Sequence, residues 1–138
     1  MIEISHCVEM KASPAQVYRA LTQQAGPSGW WRCATRTALA VDSLAEFRFG
    51  DLVVTMRVDA LDAGERVAWT CVAGPFDSVG TAISFELAPE GEGTVVRFRH
   101  RNWPESSDFM GRCSAKWAYF LFAIKSLLES PEPDDLYA

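Results

Sequence analysis

His100 is the most informative polar residue in this sequence, because it ends a stretch in which apolar and basic side chains alternate. Val96 and Phe98 share its strand parity, whereas Arg97 and Arg99 have the opposite parity. A buried imidazole must find hydrogen-bond partners or lose its charge. Such a group can orient a ligand carbonyl or transfer a proton. His100 is therefore a candidate catalytic residue, although a lone histidine is more commonly bonded to backbone or solvent.

Large apolar side chains occupy the inward positions of the predicted strands and of a predicted C-terminal helix. Aromatic rings leave irregular spaces between them, and a methionine among them adapts to many ligand shapes. The alternative is that these rings fill an ordinary core at normal packing density. The residues predicted to line a ligand-binding cavity are Phe47, Phe49, Met56, Trp69, Cys71, Ile83, Phe85, Phe98, His100, Phe109, Cys113 and Trp117.

Other kinds of catalytic or cofactor site have little support in the residue spacing. No two of the four cysteines form the close pair of a zinc ribbon or a redox motif, so we expect reduced thiols and no metal. The glycine-rich stretches 26–29 and 91–93 lack the features of a phosphate-binding loop and are interpreted as turns. No cofactor is predicted. The strand carboxylates fall on the polar faces, which disfavours a two-carboxylate mechanism.

Length and charge restrict the possible partners. The 138 residues carry 13 basic and 18 acidic side chains, for a net charge of −5. Negative charge repels phosphate backbones and anionic lipids, so we expect neither a nucleic-acid nor a membrane partner. The absence of a basic and apolar leader at the N-terminus predicts a cytoplasmic location. We expect a single domain over residues 1–130 and a C-terminal tail over residues 131–138.

Alternation and turn residues predict the elements that must position His100 and the aromatic residues. Residues 2–10 alternate as a half-buried strand, and Ser13, Pro14 and Gln16 form the signature of a helix start. A second short helical turn is predicted near Trp30 and Trp31. Residues 35–101 have a period of two, interrupted by turns, which indicates successive antiparallel hairpins. A long amphipathic helix follows and ends before Pro131, which defines an α+β domain.

Four motifs, in this order, resemble one known family. They are SPAQVYRALT (residues 13–22) followed by Gly29-Trp30, ERVAWT (65–70), GTVVRFRHRNWP (93–104) and KWAYFLFAIKSLLE (116–129). They resemble the family related to the C-terminal domain of the Hsp90 ATPase activator, within the START-like, or SRPBCC, superfamily. Tyr18 stands where members commonly carry Trp, and Lys116 stands where they commonly carry Gly. Both differences fall where they can alter the mouth or the volume of a cavity.

The resemblance implies a Bet v 1-like helix-grip fold, in which a curved antiparallel sheet of six to seven strands, with two short helices, grips a long C-terminal helix. It also implies a mainly apolar pocket between sheet and helix. We therefore expect a domain that binds a small hydrophobic or aromatic molecule there, with His100 or Trp103 near the polar end. Two alternatives remain open: an enzyme of the cyclase, dehydratase or hydrolase type, and an Hsp90 co-chaperone or other protein-interaction role. Both monomer and homodimer are compatible with the sequence.

Overall fold

The chain folds into one antiparallel sheet and two helices, in a computed structural model that describes residues 2–22, 32–33, 41–49, 52–76 and 78–129. The helices are α1 (Pro14–Thr22) and α2 (Asp108–Glu129). The strands are β1 (Ile2–Met10), β2 (Arg32–Cys33), β3 (Leu44–Phe49), β4 (Leu52–Asp62), β5 (Arg66–Ala73), β6 (Ala82–Glu90) and β7 (Gly93–Trp103). The short helical turn predicted near Trp30 and Trp31 lies outside the described residues.

Within the described residues, the sheet has seven strands in the order β1-β7-β6-β5-β4-β3-β2. Strands β4 to β7 follow one another as antiparallel neighbours, as the turn residues predict, and β1 pairs with β7 through a register that includes His6 opposite Phe98. The register shifts once in the β1–β7 pair and twice in the β4–β5 pair. Irregularities of this kind bend a strand and increase its twist. The result is the curved α+β helix-grip architecture that the sequence predicts.

Both helices begin at serine caps, and the sequence analysis predicts the one at Ser13. The Ser13 hydroxyl accepts a hydrogen bond from the Gln16 backbone N–H at 3.2 Å, and the Gln16 side chain accepts one from the Ser13 N–H at 2.9 Å. This reciprocal pair is a capping box, which satisfies two backbone donors at the start of α1. The Ser107 hydroxyl caps α2 in a similar way by accepting the Met110 N–H at 3.1 Å.

The buried face of α2 packs against the concave face of the sheet. Trp117, Phe120 and Leu121 of α2 are buried there, and the Trp117 ring lies 4.9 Å from the ring of Phe98 in β7. The helix spacing predicted from sequence is confirmed, because the buried positions recur every three or four residues along α2. The outer face of the sheet is more exposed to solvent and carries the exposed side chains of Arg97 and Arg99.

Candidate functional site

A cavity of about 90 Å³ lies between the sheet and the N-terminal half of α2, and it is open to solvent at one end. Its wall is built from strands β4, β5 and β7, from the β5–β6 connection and from α2. Most of the lining atoms are apolar. The lining residues are Val54, Met56, Cys71, Phe76, Ser78, Thr81, His100, Trp103, Phe109, Arg112, Cys113, Lys116 and Trp117.

The structure brings half of the predicted site residues to this cavity and places the others elsewhere. Those at the cavity are Met56, Cys71, His100, Phe109, Cys113 and Trp117. Four others, Trp69, Ile83, Phe85 and Phe98, face inward as predicted but belong to the closed core beside the cavity. Phe47 and Phe49 lie outside the residues whose side chains the structure describes.

Ring packing explains why Trp69, Phe85 and Phe98 form core instead of cavity wall. The Phe85 ring lies 5.2 Å from Trp69, 5.1 Å from Phe98 and 6.1 Å from Trp117, at tilted or edge-on angles. Such arrangements are favourable for aromatic pairs and leave little free space. Strand parity therefore separates inward from outward residues, but the position along the strand decides between core and cavity.

Several lining residues have no counterpart in the predicted set. Phe76, Ser78 and Thr81 come from the β5–β6 connection, and none of them belongs to the predicted lining. Arg112 and Lys116 are polar positions on α2, and a polar side chain gives no signal in a search for apolar lining. Their spacing from Phe109, Cys113 and Trp117 nevertheless predicts that they lie on the same side of α2, because residues three and four apart share a helix face.

His100 is buried at the inner wall, with 3% of its surface exposed, and both of its ring nitrogens are hydrogen-bonded. Trp117 Nε1 donates to His100 Nδ1 at 3.1 Å, and His100 Nε2 lies 2.8 Å from Thr81 Oγ1. The Thr81 hydroxyl in turn donates to the Ser78 carbonyl oxygen at 2.6 Å. Trp117, His100 and Thr81 therefore form a chain of hydrogen bonds that runs from α2 to the β5–β6 connection.

Burial lowers the pKa of His100 from its ordinary 6.5 to about 3. The imidazole is therefore neutral at physiological pH. An indole is only a donor, so Nδ1 must be the acceptor and Nε2 must carry the proton. In this arrangement no ring nitrogen is left to accept a substrate proton. The geometry makes His100 a structural and positioning residue of the cavity wall.

The Cys71 thiol and the second histidine, His6, are not arranged for nucleophilic or metal chemistry. Burial raises the pKa of the Cys71 thiol, which keeps it protonated and unreactive at neutral pH. His6 Nε2 lies 3.2 Å from the Ser114 carbonyl oxygen, and the His6 ring stacks on Phe98 away from the cavity. Within the described ranges, no three His, Cys, Asp or Glu side chains are grouped to hold a metal ion.

One polar group in the cavity wall is unsatisfied. Trp103 is fully buried, and its Nε1–H has no hydrogen-bond acceptor among the described residues. Its ring is fixed by contacts with His100 at 4.7 Å and with Phe109 at 6.0 Å. A buried donor without a partner costs about 1–3 kcal/mol.

A curved antiparallel sheet that grips a C-terminal helix over an apolar cavity defines the helix-grip class of START-like proteins. The model of the family described as "Activator of Hsp90 ATPase homolog 1-like protein" matches residues 11–129. The chain belongs to this family. No helix in the part of the chain that the structure describes is both long and apolar enough to cross a membrane.

Solved structures show the same fold. The Aha1 dimer from Colwellia psychrerythraea is 39% identical, with a TM-score of 0.82 over 94% of this chain and 98% of that chain. Protein MLL2253 from Mesorhizobium loti is 17% identical, with a TM-score of 0.76 over 94% and 98% of the two chains. DynU16, from the dynemicin biosynthetic locus, is 17% identical, with a TM-score of 0.71 over 95% of this chain and 48% of that chain. No curated protein is detectably similar in sequence.

Proposed function

We propose that this chain binds a small hydrophobic or aromatic molecule in the cavity between the sheet and α2. The observation that carries the proposal is a partly open, mostly apolar cavity between the sheet and α2. A binding site of this kind combines apolar lining with a few polar groups that fix orientation. A fully packed core would not leave this space.

The cavity volume indicates the size of the buried part of the ligand. An engineered cavity of about 150 Å³ binds benzene, and sites for drug-sized ligands span about 300–1,000 Å³. About 90 Å³ therefore accommodates a group slightly smaller than one aromatic ring, while the rest of the ligand extends into the mouth. Phe76 at the mouth is 77% exposed and packs on Phe109 at 4.8 Å, so its movement would enlarge the entrance.

Binding is favoured over catalysis by the state of His100. Its imidazole is neutral and engaged at both nitrogens, and no carboxylate lines the cavity among the described residues. General acid–base catalysis needs a group that can exchange a proton near the working pH. His100 with a pKa of about 3 does not meet this requirement.

Thermal unfolding with uncharged one-ring and two-ring probes, namely toluene, indole and naphthalene, tests the proposal. A probe at about one hundred times its dissociation constant adds about 2.7 kcal/mol to the free energy of unfolding. Cys113→Leu places a larger side chain in the cavity and should weaken or abolish this stabilisation. Cys7→Leu makes the same chemical change at an exposed position of β1 and should leave it intact.

Two outcomes would contradict the proposal. The first is that no probe changes the unfolding temperature or the fluorescence of the tryptophans. The second is that a probe stabilises the wild type and the Cys113→Leu variant to the same extent, which would place its binding site elsewhere.

A second role, self-association, is supported by the 39% identical relative, whose structure is of a dimer. Tyr119 and Phe122 are 77% and 56% exposed on α2, and large exposed apolar side chains of this kind are common at interfaces. We infer a homodimer that uses this face. Sedimentation equilibrium should give a dimer mass for the wild type and a monomer mass for Tyr119→Ser/Phe122→Ser. A monomer at all concentrations of the wild type would contradict it.

A further inference from the structure

We propose that the ligand is a molecule with at least two aromatic rings, and that Phe76 at the cavity mouth stacks on the ring that stays outside. One ring enters the cavity, and the second lies against Phe76 beside Phe109. This inference rests on the proposed function and adds the chemical class of the ligand. It is carried by the small volume of the cavity and by the exposure, backbone conformation and anchoring of Phe76.

The first argument is the size of the cavity. A volume of about 90 Å³ does not enclose more than one ring, so any further part of a ligand lies at the mouth. The mouth is identified by the lining residues that are also exposed, which are Phe76, Arg112 and Lys116. Phe76 is the aromatic side chain among these three, so it is the one that offers a flat apolar surface to the outer part of the ligand.

The second argument is the free energy that Phe76 costs the unbound protein. Its contact with Phe109 leaves 77% of its surface exposed, and its φ of 55° lies in the left-handed region, which is rare for a bulky residue. Backbone strain of this kind is concentrated at functional sites such as ligand clamps. A ligand ring that covers Phe76 removes apolar surface from water and so recovers part of this cost.

The third argument is that the backbone on both sides of Phe76 is anchored. The buried Ser78 donates from its backbone N–H and from its hydroxyl to the Pro75 carbonyl oxygen, at 3.2 Å and 2.6 Å. A methyl group on Gly74 would lie 2.7 Å from Ser78 Oγ, so the chain also packs closely before Pro75. The Thr81 hydroxyl holds the Ser78 carbonyl oxygen at 2.6 Å. Because these contacts fix the turn before a ligand arrives, the ordering cost of binding is small.

The fourth argument is the continuity of aromatic contacts from the mouth inward. The rings of Phe76 and Phe109 lie 4.8 Å apart at an angle of 47°, and Phe109 lies 6.0 Å from Trp103 in the cavity wall. Tilted and offset arrangements of this kind are favourable between aromatic rings beyond the apolar area that they bury. A saturated ring has no π-face and does not gain this term. A ligand with two aromatic rings therefore matches both the wall and the mouth.

Phenol, 4-phenylphenol and 4-cyclohexylphenol form a matched series, because the second and third compounds add an aromatic or a saturated ring of six carbons to the first. Isothermal titration should show that 4-phenylphenol binds about fivefold more tightly than 4-cyclohexylphenol, which corresponds to about 1 kcal/mol. Burial of apolar surface alone predicts no such preference, since the saturated ring is at least as apolar.

Phe76→Leu keeps an apolar side chain at the mouth but removes the flat ring, so it should abolish the fivefold preference. Val79→Ala is the control, because Val79 is 56% exposed on the same connection and is not among the lining residues; it should preserve the preference. Phe76→Asn should also abolish it, while the unliganded variant unfolds at a temperature no lower than the wild type, because asparagine adopts left-handed backbone more readily.

The ring protons of Phe76 report on the contact directly. Their signals are assigned by their absence from Phe76→Leu, and they should move upfield when 4-phenylphenol saturates the site, because a stacked ring shields them. Phenol, which lies inside the cavity, should cause a much smaller shift. Phe76 signals that stay unchanged with 4-phenylphenol would overturn the stacking contact.

The inference and the proposed function fail in different ways. If phenol binds and 4-cyclohexylphenol binds as tightly as 4-phenylphenol, the inference is overturned and the cavity remains a binding site. A preference that persists in Phe76→Leu would also overturn the role of Phe76, as would a lowered unfolding temperature of Phe76→Asn with the preference intact. If none of the three phenols binds although toluene stabilises the protein, the inference fails alone.

Discussion

Trp117 Nε1 of α2 donates a hydrogen bond to His100 Nδ1 of β7 over 3.1 Å, and this contact determines the chemical state of the histidine. Because an indole nitrogen cannot accept, His100 is held as the tautomer with its proton on Nε2. That proton is then directed to the Thr81 hydroxyl. The bond therefore joins α2 to the sheet and keeps the ionisable side chain of His100 neutral in the cavity wall.

The free energy of unfolding should fall on acidification because of His100. Its folded-state pKa of about 3 lies below the ordinary 6.5, so the unfolded state binds the proton first. The contribution of neutral His100 is fully present above pH 6.5 and is lost progressively toward pH 3. At about pH 4.5, this group alone should lower the free energy of unfolding by about 2–3 kcal/mol. Urea denaturation at a series of pH values measures this dependence.

His100→Gln should flatten the pH dependence between about pH 4.5 and 6.5, because glutamine offers a donor and an acceptor but does not titrate there. An unchanged pH slope in His100→Gln would show that another group is responsible.

Removing the Trp117 donor should destabilise the protein more than the loss of ring area explains. Trp117→Phe keeps an aromatic ring against Phe98 but leaves His100 Nδ1 without its partner. A buried acceptor without a donor costs about 1–3 kcal/mol in addition to the packing loss. In the double variant with His100→Leu, which removes the acceptor as well, this additional loss should disappear. Simple additivity of the two substitutions in urea denaturation would contradict the coupling.

The salt bridge at the end of α2 should contribute little to stability. Glu129 accepts hydrogen bonds from Lys125 Nζ at 2.7 Å and from the Lys11 backbone N–H at 2.9 Å, and these bonds lower the pKa of its carboxyl group. A lowered pKa stabilises the fold above the ordinary value of 4.5 and loses that effect as the pH falls.

Because both side chains of that salt bridge are partly exposed, Glu129→Gln should lower the free energy of unfolding by less than about 1 kcal/mol at neutral pH. The difference from the wild type should shrink in acid. A Glu129→Gln effect that persists undiminished at low pH would contradict the electrostatic explanation.

The sequence predicts the fold well because its signals are local and repeated. Alternation identifies β1 and the hairpins, the Ser13–Gln16 spacing identifies the start of α1, and the apolar periodicity identifies α2. Each of these patterns depends on burial of one face of an element. The orientation of His100 toward the interior also follows from parity, and the structure confirms it.

The cavity itself could not be located in this way, because its existence depends on how far the two walls separate. Phe85 and Phe98 lie on the same face of the sheet as His100. They are enclosed by other rings, however, whereas His100 borders the cavity. The contribution of Phe76 depends on a backbone conformation with φ of 55°, which no periodicity reveals. The hydrogen bond from Trp117 to His100 joins two elements whose relative position only the folded structure defines.

Two glycines in this chain should respond to alanine in opposite ways. A methyl group on Gly93, at the start of β7, would lie 2.4 Å from the Met10 carbonyl oxygen. Met10 pairs with Thr94 in the sheet, so that backbone cannot move away without breaking the register. Overpacking against fixed atoms costs about 1–3 kcal/mol, and Gly93→Ala should lose about that much free energy of unfolding.

Gly111→Ala is the matched substitution inside α2, where a methyl group would meet no other atom within 4 Å. Alanine restricts the unfolded chain and favours the helix, so this variant should gain about 0.5–1 kcal/mol. The two variants add the same atom, and only the surroundings differ. Thermal unfolding should therefore show one midpoint below and one above the wild type. If both variants unfold at lower temperature than the wild type, the predicted freedom around Gly111 is wrong and the start of α2 is packed more tightly than the structure indicates.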